Sequence, residues 1–148
     1  MKVKVLEKLA FSATAAWRCL GGFDGLPAIS SATVSSRLQD EGRIRMLANR
    51  DGSILWERLL HFDEKTRTLS YEIVDAKAAD KLAYGVGYRG TVRVRQNGPG
   101  SNCAFEYFAE FTPINGFSES QARKAVVSFV RDCASGVRRV LGAQSSSS

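Results

Sequence analysis

The chain has 148 residues, 44% apolar and 24% charged, the balance of a single domain with a real core rather than of two domains or a disordered polymer. Its formal charge is +6, from 21 cations against 15 anions, but the cations are scattered and none forms the run of a basic arm, which favours a solvated exterior over a nucleic-acid partner. No apolar stretch approaches the ~20 residues that cross a bilayer, and Lys2, Lys4, Glu7 and Lys8 interrupt the start where a secretory signal would be continuous, so a cytoplasmic protein without membrane insertion is expected.

Residues 2 to 11 read as a first strand. Ser12 stands where an N-cap belongs, ahead of a short helix over 13 to 20 that carries Trp17 and is ended by Gly21, Gly22, Gly25 and Pro27. From about residue 32 the text changes to β-branched and aromatic runs parted by turn signals: 32 to 38, 43 to 50, 53 to 62, 67 to 75, 82 to 95 and 102 to 112. Six successive strands with short turns imply an antiparallel meander.

In the strand over 82 to 95, Tyr84, Val86, Tyr88, Gly90, Val92 and Val94 alternate with Arg89, Thr91, Arg93 and Arg95, the period of a half-buried sheet. Across the next turn, Cys103, Phe105, Tyr107, Ala109 and Phe111 form a buried face and leave Glu106 and Glu110 outward. Pairing with indices summing to 199 brings Arg93 to Glu106 and Arg89 to Glu110 as exposed pairs. The hairpin around Asp51-Gly52 has two registers. A two-residue turn puts Glu57 and His61 on an apolar face, with Glu57 as a candidate general acid; a three-residue loop sets Arg45 opposite Glu57, a pair able to anchor a ligand carbonyl or carboxylate. Local turn chemistry favours the first, and Glu57 faces inward in both.

The C-terminal segment switches to helical period. Phe117, Ser118 and Gln121 supply a staple residue, an N-cap and the partner of a capping box. Ala122, Val126, Phe129, Cys133, Val137 and Val140 then recur at spacings of three and four, in a helix of about 24 residues ending near Gly142. One domain over 1 to 144 follows, with 145 to 148 as a disordered serine tail.

Several chemistries fail on context. Gly85-Val-Gly87-Tyr-Arg-Gly90 matches a dinucleotide fingerprint in letters, but a strand and not a helix follows it. Three cysteines with no C-x-x-C and a single histidine, His61, give neither a disulfide framework nor a multi-histidine metal site, so no metal or other cofactor is expected. The aromatics and the arginines fall on opposite faces of the sheet, whereas a nucleic-acid stacking platform needs both on one. A single helix about 10 Å wide does not fill the concavity of a seven-stranded sheet, and the space left beside the tyrosines suits an apolar small molecule as well as it suits packed side chains.

Residues 42 to 94 carry a recurrent set: Gly42 with Arg45, Glu57-Arg58-Leu59 closing on Asp63, Ser70-Tyr71, and Tyr88 with Thr91. Trp17 and Phe23 precede this set and Phe111-Thr-Pro113 follows it. In order and spacing the chain resembles the polyketide cyclase/dehydrase-like branch of the START-related ligand-binding superfamily. The resemblance implies an α+β helix-grip fold, with a seven-stranded antiparallel sheet wrapped around the long C-terminal helix, two short helices after the first strand, and an internal cavity. It favours the second hairpin register, because the family carries both Arg45 and Glu57 as inward positions, and that register is the preferred one. It implies a hydrophobic ligand, polyketide-like, lipid or other cyclic or acyl molecule, held by Arg45, Glu57, Tyr71, Tyr88, Gly90, Tyr107, Phe129 and Trp17, in a monomer or homodimer. The alternative it carries is a cofactor-free aromatase or cyclase using Glu57, His61 or a tyrosine for proton transfer. Where family members have a second tryptophan and His-Pro at the pocket mouth, this chain has Leu26-Pro27-Ala28-Ile29, and the short turn Arg50 to Ser53 leaves no hormone-receptor lid.

Overall fold

The computed structural model describes residues 1–146, with side chains through residue 143. The elements run β1 (Lys2–Leu9), α1 (Ala13–Leu20), α2 (Leu26–Ile29), β2 (Thr33–Gln39), β3 (Ile44–Asn49), β4 (Ile54–Asp63), β5 (Thr68–Lys77), β6 (Arg89–Gln96), β7 (Cys103–Glu110) and α3 (Glu119–Ser146). The strands form one antiparallel sheet ordered β1-β7-β6-β5-β4-β3-β2. From β2 to β7 the chain is a meander, and β1 joins the far edge because α1 and α2 carry the chain across one end of the sheet. This is the helix-grip α+β arrangement: the buried faces of β1, β5, β6 and β7 and the apolar stripe of α3 share one core.

Both helix starts follow their caps. The Ser12 hydroxyl accepts from the Ala15 amide at 3.1 Å. Ser118 and Gln121 form a reciprocal capping box, the Gln121 amide donating to Ser118 Oγ at 3.1 Å and the Ser118 amide to Gln121 Oε1 at 2.9 Å. On α3, Ala122, Val126, Cys133 and Val137 are buried as the period requires, together with Val130 and Ala134. The helix does not stop near Gly142 but continues to Ser146. It therefore takes in the first two residues expected to be disordered, while Ser147 and Ser148 lie outside the described residues.

The expected strand over 82 to 95 begins only at Arg89. Gly87 has φ of +95°, a left-handed turn that breaks the alternation, and Val86 is 68% exposed instead of sharing a face with Tyr88. Gly85 and Gly87 thus belong to a turn, and only Gly90 of that triplet lies within a strand. The β6–β7 register does sum to 199, pairing Arg93 with Glu106 and Arg89 with Glu110 across the ladder. The ion pairs differ, however: Arg95 reaches Glu106 at 3.2 Å and Arg89 reaches Glu72 at 3.4 Å, and Glu106 is buried rather than exposed.

The β3–β4 hairpin takes the three-residue register, with Arg45 opposite Glu57 and Leu47 opposite Leu55. The Gly52 amide closes the turn on the Asn49 carbonyl at 3.0 Å, with Gly52 at φ +92°. Asp51 secures the far side, accepting from the Ser53 amide at 2.9 Å and the Ser53 hydroxyl at 2.6 Å. Two register shifts then interrupt β4 against β5, one between Trp56 and Glu57 and one between Leu59 and His61. The second shift decides which way His61 points.

Candidate functional site

Between the concave side of β3–β5 and α3 lies an open cavity of about 460 Å³. Leu47 and Leu55 reach it from the β3–β4 hairpin, Phe129 from α3, and Tyr84 from the turn before β6. Its inner end is polar, made by Arg45, Glu57, Tyr71 and Tyr88, while the exposed lining residues Ala32, Arg50 and Asp51 mark the mouth.

Arg45 and Glu57 are each 4% exposed and face one another because the hairpin register places them as cross-strand partners. Arg45 Nε lies 2.7 Å and Nη2 2.6 Å from the same carboxylate oxygen, Glu57 Oε1. Nη1 donates to the Phe23 carbonyl at 3.1 Å. The guanidinium lies over the rings of Phe23 and Tyr71, at 4.8 and 4.7 Å from their centroids. Burial, the largest single influence, lowers the Arg45 pKa, but the Glu57 charge, Tyr71, the hydrogen bond to Glu57 and Tyr107 together outweigh it and raise the pKa. The second carboxylate oxygen of Glu57, Oε2, has no hydrogen-bond partner among the described residues, and the residue borders the cavity.

Behind this pair, Tyr107 Oη sits 2.6 Å from Tyr71 Oη and 2.6 Å from Tyr88 Oη. Three hydroxyl protons serve these two hydrogen bonds, so one proton always remains to be donated outside the triad. Burial raises the pKa of all three, reinforced by Glu57 at Tyr71 and by Tyr71 at Tyr88 and Tyr107. Tyr84 is raised likewise, by burial and then Glu57, and its ring lies 4.5 Å from that of Tyr88. At neutral pH these phenols are donors, not bases.

Gly90 does not border the cavity. It lies behind the triad, where a Cβ would stand 2.5 Å from Tyr107 Oη and 2.6 Å from Tyr71 Cζ, so the two tyrosines occupy the space that a side chain at 90 would need. Tyr107 itself borders only an inner pocket of about 30 Å³, shared with Phe129 and Arg45. Phe129 is half-buried and meets Tyr107 edge to face at 5.8 Å.

Two expected residues stand apart from this space. The bulge at Leu60 shifts the pairing so that His61 opposes Ser70 on the outer face, and His61 is exposed. The same shift turns Phe62 toward Trp17, which stacks on it at 5.7 Å and donates from Nε1 to Glu64 at 3.1 Å, so Trp17 closes one end of the core rather than lining the cavity. Conversely, Leu47, Leu55 and Asp132 line the cavity and were not singled out by sequence reasoning, whereas Tyr84 lines it as one of the tyrosines expected beside that space. The spacing from Phe129 to Asp132 was a usable signal, because residues three apart on a helix share a face. Asp132 accepts from Ser30 Oγ at 3.0 Å, the Ser31 amide at 2.9 Å and Ser31 Oγ at 2.7 Å, clamping the end of α2 to α3 beside the mouth. Among the described residues no cluster of three His, Cys, Asp or Glu side chains could hold a metal ion, and no helix is long and apolar enough to cross a membrane.

The sequence matches the family described as polyketide cyclase / dehydrase and lipid transport over residues 2–142, nearly its whole length. The chain belongs to that family. Among solved structures, it is similar to the protein XoxI from Bacillus cereus, at 27% identity and a TM-score of 0.83, with 94% of each chain covered. A START superfamily protein from Mycobacterium smegmatis shares the fold at 10% identity and a TM-score of 0.76, covering 97% of this chain and 98% of that one. So does norcoclaurine synthase from Thalictrum flavum, solved with dopamine and hydroxybenzaldehyde, at 15% identity and a TM-score of 0.67 over 95% of this chain and 86% of that one. No curated protein matches the sequence. Membership of this polyketide cyclase and lipid transport family agrees with the START-like fold seen in the sheet and the long helix.

Proposed function

We propose that this chain binds a mainly apolar small molecule in the cavity between its sheet and α3. The observation that carries the reading is the shape and chemistry of that space: about 460 Å³, walled by Leu47, Leu55, Tyr84 and Phe129, with a buried polar group set at the inner end and charged residues at the mouth. Such a site takes an apolar body and orients it by one polar end. The family's two activities, cyclase/dehydrase chemistry and lipid transport, both handle molecules of that kind.

Nile red titration of the purified protein, paired with native mass spectrometry, tests it. The expected result is a saturable fluorescence gain at one dye per chain, displaced by an apolar competitor. Absence of saturable uptake by the folded protein would reject the reading. A second reading, cofactor-free proton transfer, is favoured by one feature, the unpartnered Glu57 Oε2 at the cavity wall, which could accept a proton from a bound carbon acid. Turnover of a poly-β-ketone mimic, abolished in Glu57→Gln, would establish it; His61, exposed on the outer face, has no part in it.

A further inference from the structure

We infer that the polar end of this cavity selects neutral ligands that carry a hydrogen-bond donor, a phenol or alcohol, and discriminates against carboxylic acids. The inference deepens the binding reading and rests on it. Arg45 is the obvious partner for a ligand carboxylate, but its charge is already committed. Two of its nitrogens converge on Glu57 Oε1, a third holds the Phe23 carbonyl, and the rings of Phe23 and Tyr71 pack against the guanidinium at 4.8 and 4.7 Å. Three of its five N–H groups are used in this way, and the ion pair presents an acceptor without a partner among the described residues, Glu57 Oε2, beside the cavity.

The pair as a whole is neutral, so an anionic ligand finds no net countercharge and would set its carboxylate against a second one. A hydroxyl, by contrast, donates to Oε2 in a charge-assisted bond at the buried end of the cavity. The spare proton of the Tyr71–Tyr107–Tyr88 triad complements this. Tyr71 and Tyr88 border the same cavity, so when the spare proton sits on either of them a ligand hydroxyl oxygen that donates to Glu57 can accept it. Tyr84 Oη, with no partner among the described residues, is a further hydroxyl at the wall. The recognition element is thus one acceptor and one donor for a single ligand oxygen.

Three naphthalenes of nearly equal size separate the possibilities by isothermal titration at neutral pH: 2-naphthol, 2-methoxynaphthalene and 2-naphthoate. The expected order places naphthol about ten- to a hundred-fold tighter than the methyl ether, the worth of one hydrogen bond to a charged group, with naphthoate weakest. In Glu57→Gln the Arg45 charge loses its countercharge, and naphthoate becomes the tightest of the three. Since that variant leaves a buried charge and can fail to fold, the joint replacement R45M/E57L is the second test: it removes the acceptor together with its counterion, and naphthol and its ether then bind equally. Naphthoate binding wild type as tightly as naphthol, or equal affinities for naphthol and its ether, would overturn the selectivity while leaving cavity binding intact. If none of the three binds and Nile red does not either, it is the binding reading that fails.

Discussion

At the residue scale, the cavity's polar end depends on side chains that cannot be changed singly without exposing another. Gly90 is the clearest case, because Tyr71 and Tyr107 lie over its backbone within contact distance of an absent Cβ. Gly90→Ala should therefore cost about 1–3 kcal/mol by forcing the tyrosine hydroxyls apart, read as a lowered urea midpoint with an unchanged slope. The tyrosines also set an alkaline limit. Burial raises the pKa of Tyr71, Tyr84, Tyr88 and Tyr107, so the folded chain holds protons that the unfolded chain releases above about pH 10. Stability from these groups is fully present below that pH and is lost as pH rises toward the folded values. Phenolate absorbance is expected to appear together with loss of circular dichroism in one cooperative step; gradual phenol ionisation from about pH 10 with the fold intact would contradict the burial argument.

At the scale of elements, the cavity exists because α3 covers the sheet without filling it, with the end of α2 tied to α3 beside the mouth. Asp132 ties α2 to α3 through three hydrogen bonds to Ser30 and Ser31, beside the mouth. In Asp132→Ala the segment 26–33 should lose this clamp and take up deuterium faster, while β5 to β7 stay protected; uniform loosening of the sheet would mean that Asp132 supports the whole fold instead. Phe129 borders open space on one side and Tyr107 on the other, in contrast to the fully buried Val126 and Val130 on the same helix. Phe129→Ala should then cost roughly 2 kcal/mol, less than the ~3–5 kcal/mol of a packed phenylalanine, because part of the ring had no partner atoms to lose. It should also weaken Nile red uptake, a readout that a purely core residue would leave unmoved.

At the scale of the molecule, ligand and fold are linked, since a molecule held between sheet and α3 binds only when both are in place. A ligand at a hundred times its dissociation constant adds about 2.7 kcal/mol, which in a domain of this size raises the melting temperature by roughly 5–10 °C. Differential scanning calorimetry with and without 2-naphthol would show the shift, and its absence at a concentration that saturates by titration would place the binding elsewhere than between the layers.

Much of this was legible in the sequence because it is local or periodic. The Ser12 and Ser118 caps, the apolar stripe of α3, the alternation over 89–95 and 103–111, and the family resemblance carried the helix-grip fold and most of the polar end of the cavity. Arg45 facing Glu57 followed once the hairpin was given a three-residue loop. What only the tertiary structure decided lies where strands pair imperfectly. A bulge at Leu60 turned His61 out and Phe62 onto Trp17, and the turn at Gly87 released Tyr84 from a strand into the cavity wall. One extra residue in a ladder reverses every side chain beyond it, and whether the ladder takes that residue up depends on the partner strand and the layer above, not on the letters of the strand itself. The same holds for Asp132, which reads as an ordinary helix residue until folding brings Ser30 and Ser31, a hundred positions away in the chain, against it.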